Sequence, residues 1–320
     1  MRLPRVSPTA VRNVALATMI LYSLLMLSGA GVRLTGSGLG CPDWPTCYQH
    51  RLTAVASFHP MVEFVNRLVT VALSVISILA LVLAWLRTPR RRDLVWLAVA
   101  IMGGLVGQIV VGGVVVLTKL NPYLVSLHFL LTVVIIAVAV AFFHRARQHE
   151  DEVELHARPL VGRDLIWLGR LLVAALGLVT VIGTLVTGAG PHAGSPSTPG
   201  SPIRRVAIAF RDIAAVHTDA ALFLIGLTLA SLFAFHHADA PPEVQRHLRI
   251  LFEVLVFQGA IGYAQYFFHD APGLVEVHVA GATVLWLTAL AFYLALHEHA
   301  PIPGGFARKQ EVAAVGRSSP

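Results

Sequence analysis

Apolar runs of roughly bilayer length recur along the chain, separated by short polar clusters. Eight are distinct: Val11 to Gly31, Phe64 to Leu86, Leu94 to Leu117, Leu124 to Phe143, Leu165 to Val186, Ile213 to Phe235, Ile250 to Phe268 and Leu274 to Leu296. About 20 mostly apolar residues in helical form cross a hydrocarbon core, so each run predicts a transmembrane helix. Helices satisfy their backbone polar groups within the segment, as lipid requires. The expected fold class is an all-α integral membrane protein with eight transmembrane helices.

Composition agrees. Of 320 residues, 56% are hydrophobic and only 13% charged, against about 25% charged in an ordinary soluble domain. A disordered chain and a disulfide-dense secreted module are excluded on those figures. The net charge of +7 matters through its placement. With the N-terminus inside, 17 of the 24 Lys and Arg fall on the cytoplasmic side, including the run Arg87, Arg90, Arg91 and Arg92. The positive-inside rule then puts both termini in the cytoplasm and leaves no reason to expect nucleic acid. The first run could instead be a cleaved signal peptide, with Ser28 to Gly31 as small residues, but its apolar stretch exceeds the usual signal core of about 7–15 residues.

The two halves of the chain match each other. Gln108 meets Gln258, Gly112 meets Gly262, Pro122 meets Pro272 and His128 meets His278, all at an offset of 150; Thr35-Gly36-Ser37-Gly38 meets Thr187-Gly188-Ala189-Gly190 at 152, and Asn66 meets His217 at 151. A duplicated four-span unit follows. We expect two tandem, pseudo-symmetric four-helix bundles, residues 1–150 and 151–320, related by an axis along the membrane normal, the second ending in a short disordered cytoplasmic tail.

Fifteen histidines are many for so apolar a chain, and an ionisable group at membrane depth is costly. His217 and His278 lie about one turn inside the sixth and eighth spans. Two imidazoles facing each other in a helical bundle can ligate a haem iron from both sides, an arrangement suited to electron transfer; the alternative is that each hydrogen-bonds across helices as packing. In the first half His128 keeps its place while Asn66 takes the facing position. Asparagine is a poor iron ligand, so this half would hold a haem from one side only. Glu63 stands one turn before Asn66, as a proton acceptor or as a helix-start carboxylate favoured by the macrodipole. Arg67 could pair with Glu63, hold an anionic group or snorkel. Cys41 and Cys47, the only cysteines, fall in the oxidising compartment, where a disulfide is expected over a free thiol pair. His236, His237, His247, His297 and His299 fall in cytoplasmic loops or termini and read as solvated.

The run Leu34-Thr35-Gly36-Ser37-Gly38-Leu39-Gly40-Cys41-Pro42-Asp43-Trp44-Pro45-Thr46-Cys47, then Glu63-Phe64-Val65-Asn66-Arg67 and Thr187-Gly188-Ala189-Gly190-Pro191-His192-Ala193-Gly194, resembles the haem A synthase family of aerobic bacteria over nearly the whole chain. The resemblance implies an oxidoreductase of the cell membrane that serves cytochrome oxidase assembly by oxidising the C8 methyl of haem O to the formyl of haem A, through two hydroxylations and loss of water. It implies haem b as cofactor in the second half with His217 and His278 as axial ligands, His128 as iron ligand of the substrate haem, and Glu63 as the catalytic carboxylate. Cys41 and Cys47 match the family's outer-loop cysteine pair, while a second pair found in many members is absent. Arg67, Arg33 and His192 are candidate propionate contacts. Haem O synthase (protohaem farnesyltransferase) and a further redox protein are the candidate partners. Many members carry His where this chain has Asn66. Rival functions are a diheme b-type quinol cytochrome and a haem-handling transporter or chaperone.

Overall fold

A computed structural model describes residues 5–49, 51–148, 155–195 and 204–301; the expected C-terminal tail lies outside the described residues. Eight helices follow one another: α1 (Pro8–Leu34), α2 (Phe58–Leu86), α3 (Arg92–Leu117), α4 (Pro122–Ala146), α5 (Arg163–Ala189), α6 (Phe210–His237), α7 (Pro242–Phe267) and α8 (Pro272–Ala295). All eight are long and apolar enough to cross a membrane, and the protein is a multi-pass membrane protein. Local chemistry sets several starts. Ser7 caps α1 by accepting from the Ala10 N–H, and Asn121 caps α4 by accepting from the Tyr123 N–H. Pro8, Pro122, Pro242 and Pro272 sit in first turns, where a missing N–H costs nothing.

All eight helices begin before their apolar runs, two of them by more than one turn: α2 at Phe58 rather than Phe64, and α7 at Pro242 rather than Ile250. The added turns of α7 carry Glu243, Gln245, Arg246, His247 and Arg249. Such turns extend a helix past the apolar layer, where hydropathy no longer reports on it.

In the first half α1 packs on α2 and α4, α2 on α3, and α3 on α4; in the second half α5 packs on α6 and α8, α6 on α7, and α7 on α8. Each half is a closed ring of four helices with its own apolar core, around Tyr22, Leu73, Ile101 and Phe142 in one and Leu172, Phe235, Leu251 and Phe292 in the other. The rings meet through α1, α4, α5 and α8. Trp286 of α8 packs against both cores and donates its indole N–H to the Val133 carbonyl of α4 at 3.0 Å.

At the basic end, residues that sequence reads as orientation markers are built in. The Arg91 side chain is almost fully buried; it pairs with Asp93 at 2.6 Å and donates to the Arg145 and Gln148 carbonyls at 3.0 Å. Arg90 lies over Trp85 at 4.2 Å and Arg170 over Trp167 at 4.7 Å, cation–π contacts suited to an interfacial belt. An unexpected two-stranded antiparallel sheet joins β1 (Leu155–Pro159) to β2 (His297–Pro301). His297 and His299 are therefore strand residues, while His236 and His237 end α6 and His247 lies within α7. Regular structure, rather than loop, surrounds all five.

Candidate functional site

The end opposite the basic cluster carries the polar constellation. Cys41 and Cys47 form a disulfide, and the short ring they close is held down by α2. Glu63 is buried; its Oε2 accepts from the Cys41 N–H at 2.7 Å, and its Oε1 accepts from Arg67 Nη2 at 2.7 Å. Arg67 also donates to the carbonyls of Cys41, Asp43 and Thr46 at 2.8–3.2 Å. The two side chains are one turn apart on α2 and form the floor of the loop. Because α2 starts at Phe58, Glu63 stands past the first turn, where the macrodipole has faded. Its partners, not the helix start, account for its burial. Gly40 lets the loop lie on α2: a Cβ there would come 2.3 Å from the His59 carbonyl oxygen.

Deeper in the helices, three histidines share one environment. A Cβ built on Gly112 would stand 3.1 Å from His128 Cε1, on Gly183 3.1 Å from His217 Cε1, and on Gly262 3.2 Å from His278 Cε1. Each imidazole thus brings its Cε1 edge close to a bare patch of the neighbouring helix. Gln108 and Gln258 brace α4 and α8 in the same way, donating to the carbonyl of His128 at 3.0 Å and of His278 at 2.8 Å. Among the described residues, the buried Nδ1 atoms of His128 and His278 have no hydrogen-bond partner. His217 and His278 face each other across the second ring, with centroids 6.4 Å apart and planes at 74°. Two metal–imidazole bonds of about 2 Å each, plus the two half-rings, fill such a gap. Among the described residues no group of three or more His, Cys, Asp or Glu gathers to hold a bare metal ion. Two facing imidazoles instead suit a metal whose equatorial ligands come from a macrocycle.

The fourth position differs. Asn66 Oδ1 accepts the Ser28 hydroxyl at 2.8 Å, and a Cβ on Gly31, the counterpart of Gly183, would meet nothing within 4 Å. Ser28 and Gly31 line an open groove of about 690 Å³ between α1 and α2, together with Thr35, Phe58, Val62 and Val65.

Arg33 and His192 bind the two loop systems together. Arg33 donates to the carbonyls of Thr187 and His192, both at 2.7 Å, and His192 Nε2 lies 2.7 Å from the Asp270 carbonyl. The Gly38 N–H donates to the Gly194 carbonyl at 2.7 Å. The Gln and Gly matches between the halves pointed toward the cradles and braces without assigning them; Ser28 had no signal in the sequence.

Eight spanning helices in two matched rings, with paired imidazoles inside one of them, define an all-helical multi-pass membrane protein. A family model described as cytochrome oxidase assembly protein matches residues 12–290. The chain belongs to that family, COX15-CtaA. It is similar to proteins named haem A synthase: one from Staphylococcus epidermidis, 30% identical over 164 residues (49% of this chain and 53% of that protein), and ones from Listeria welshimeri and Listeria monocytogenes, 31% identical over 140 residues (42% of this chain and 46% of those proteins). The matched region spans about half the length of these relatives.

Proposed function

We propose that this chain is a membrane haem A synthase, an oxidoreductase that takes haem O as substrate and converts its C8 methyl to a formyl group by two hydroxylations and loss of water. The observation that carries the reading is the facing pair His217 and His278, with centroids 6.4 Å apart. Packing histidines would hydrogen-bond across helices, yet among the described residues none pairs with His278 Nδ1. His217 and His278 would hold haem b in residues 151–320, and His128 would hold the substrate haem in residues 1–150. Haem b supplies one-electron transfer when bound.

The remaining roles belong to the chain's own side chains. Gly112, Gly183 and Gly262 let the imidazoles lie against the helices, while Gln108 and Gln258 fix the backbone that carries two of them. Glu63 is the proton acceptor near the substrate, kept in place by Arg67 and the Cys41 N–H. The disulfide loop over this carboxylate restricts water at the site. Arg33 and His192 lock the two outer loops, and donors left over on Arg33 would face propionates. An electron-transfer cytochrome with two closed haems fits less well, because Asn66 leaves one position without a ligand. The basic end faces the cytoplasm of the cell membrane, and haem O synthase is the natural supplier of substrate.

Co-expression with a haem O source, followed by haem extraction and chromatography of the purified protein, tests the reading. Haem A and haem b are expected together; haem b alone would sink it.

A further inference from the structure

We infer that Ser28, Gly31 and Asn66 form a binding site for an exchangeable ligand of diatomic size on the iron of the first-half haem. This rests on the proposed haem sites and adds the open face of one of them. The two halves use the same scaffold at this point, and three differences open it.

His217 fills the space against Gly183, with its Cε1 3.1 Å from the position of a Cβ, whereas nothing comes within 4 Å of the matching point on Gly31. Thr180, the counterpart of Ser28 at the 152-residue offset, bonds back to the Leu176 carbonyl of its own helix at 2.9 Å, whereas Ser28 reaches across to Asn66 Oδ1 at 2.8 Å. That bond engages the amide oxygen, the only atom of Asn66 able to approach iron, and leaves the amide N–H donors for a neighbour. Ser28 and Gly31 also line the open groove between α1 and α2. A small acceptor ligand reaching the Asn66 side therefore meets room, a path and a hydrogen-bond donor. The closed pair in the second half has none of these.

Carbon monoxide is the probe, added to the reduced full-length protein reconstituted with protohaem. One of the two haems is expected to bind it, and His128→Ala should remove that fraction together with its haem. Asn66→His should abolish the carbon monoxide band and produce a second low-spin bis-histidine spectrum. Gly31→Leu, which enters open space and so leaves the helices undisturbed, should weaken carbon monoxide binding tenfold or more. Ser28→Ala should keep binding but shift the C–O stretch, because the amide is released. If His128→Ala removes a haem and the parent protein still shows no carbon monoxide band, the inference is overturned while the haem sites stand. Unchanged binding in both Asn66→His and Gly31→Leu overturns it as well. Haem content unaffected by His128→Ala would overturn the site assignment itself, and this inference with it.

Discussion

The two four-helix rings are near copies in scaffold and opposites in chemistry. Both place a histidine against a glycine at the start of their last helix, and both brace that histidine's carbonyl with a glutamine. The second ring then adds His217, has Ala214 where the first has Glu63, and carries no cysteine in its loop. The first ring has Asn66 in place of the histidine and adds a buried carboxylate, an arginine and a disulfide above it. The matched glycines and glutamines thus pack helices, and the unmatched positions include those proposed to touch a ligand. A closed site favours electron transfer and an open one favours reaction, so on the proposed reading the asymmetry between the rings would divide the two tasks.

The most forceful way to break this comparison is to remove one histidine from each ring. His278→Ala should abolish the low-spin bis-histidine spectrum completely while haem remains in the first ring, and His128→Ala should do the reverse; optical and electron paramagnetic resonance spectra read both. Equal loss from both sites in either variant would mean that the rings do not act separately. Next in size, Glu63→Gln should lower haem A yield by about 100-fold or more, the usual scale for loss of a general acid or base, with haem content intact. An unchanged yield would leave Glu63 as only the anchor of the Cys41 loop.

Reduction of the disulfide, or Cys41→Ser, should destabilise the first ring by about 2 kcal/mol, as expected for opening so short a covalent loop. Proteolysis of the outer loop before and after reduction measures it, and the second ring should not respond. The smallest contrast concerns glycine. Gly31→Ala enters open space and should raise the melting temperature slightly, since Ala outscores Gly by about 1 kcal/mol in a helix. Gly183→Ala crowds the His217 ring and should shift the haem spectrum; identical behaviour of the two variants would erase the steric difference between the rings.

Much of this was legible in the chain. Eight apolar runs gave the helices, because lipid forces a spanning segment to satisfy its own backbone. The offset matches located His128, His217 and His278 together and marked Asn66 as the exception. Less legible were the partners of the polar groups. Arg33 and His192 read as ligands for an anion, yet they also tie loops 159 residues apart in sequence. Arg91 reads as a marker of the cytoplasmic side, and its side chain is buried. The strands Leu155–Pro159 and His297–Pro301 have too few residues to show a period of their own, and their stability comes from pairing across the chain.

The sequence by itself determined that this is an eight-span, twice-repeated membrane protein with three histidines at one depth, because bilayer thickness and helical rise act residue by residue. Only the tertiary structure decided that Glu63 and Arg67 hold the disulfide loop, that Ser28 claims the oxygen of Asn66, and that Gly31 faces open space where Gly183 faces a ring. Those outcomes depend on which helices become neighbours, and hydrogen bonds and steric gaps between neighbours leave no periodic trace along a single chain.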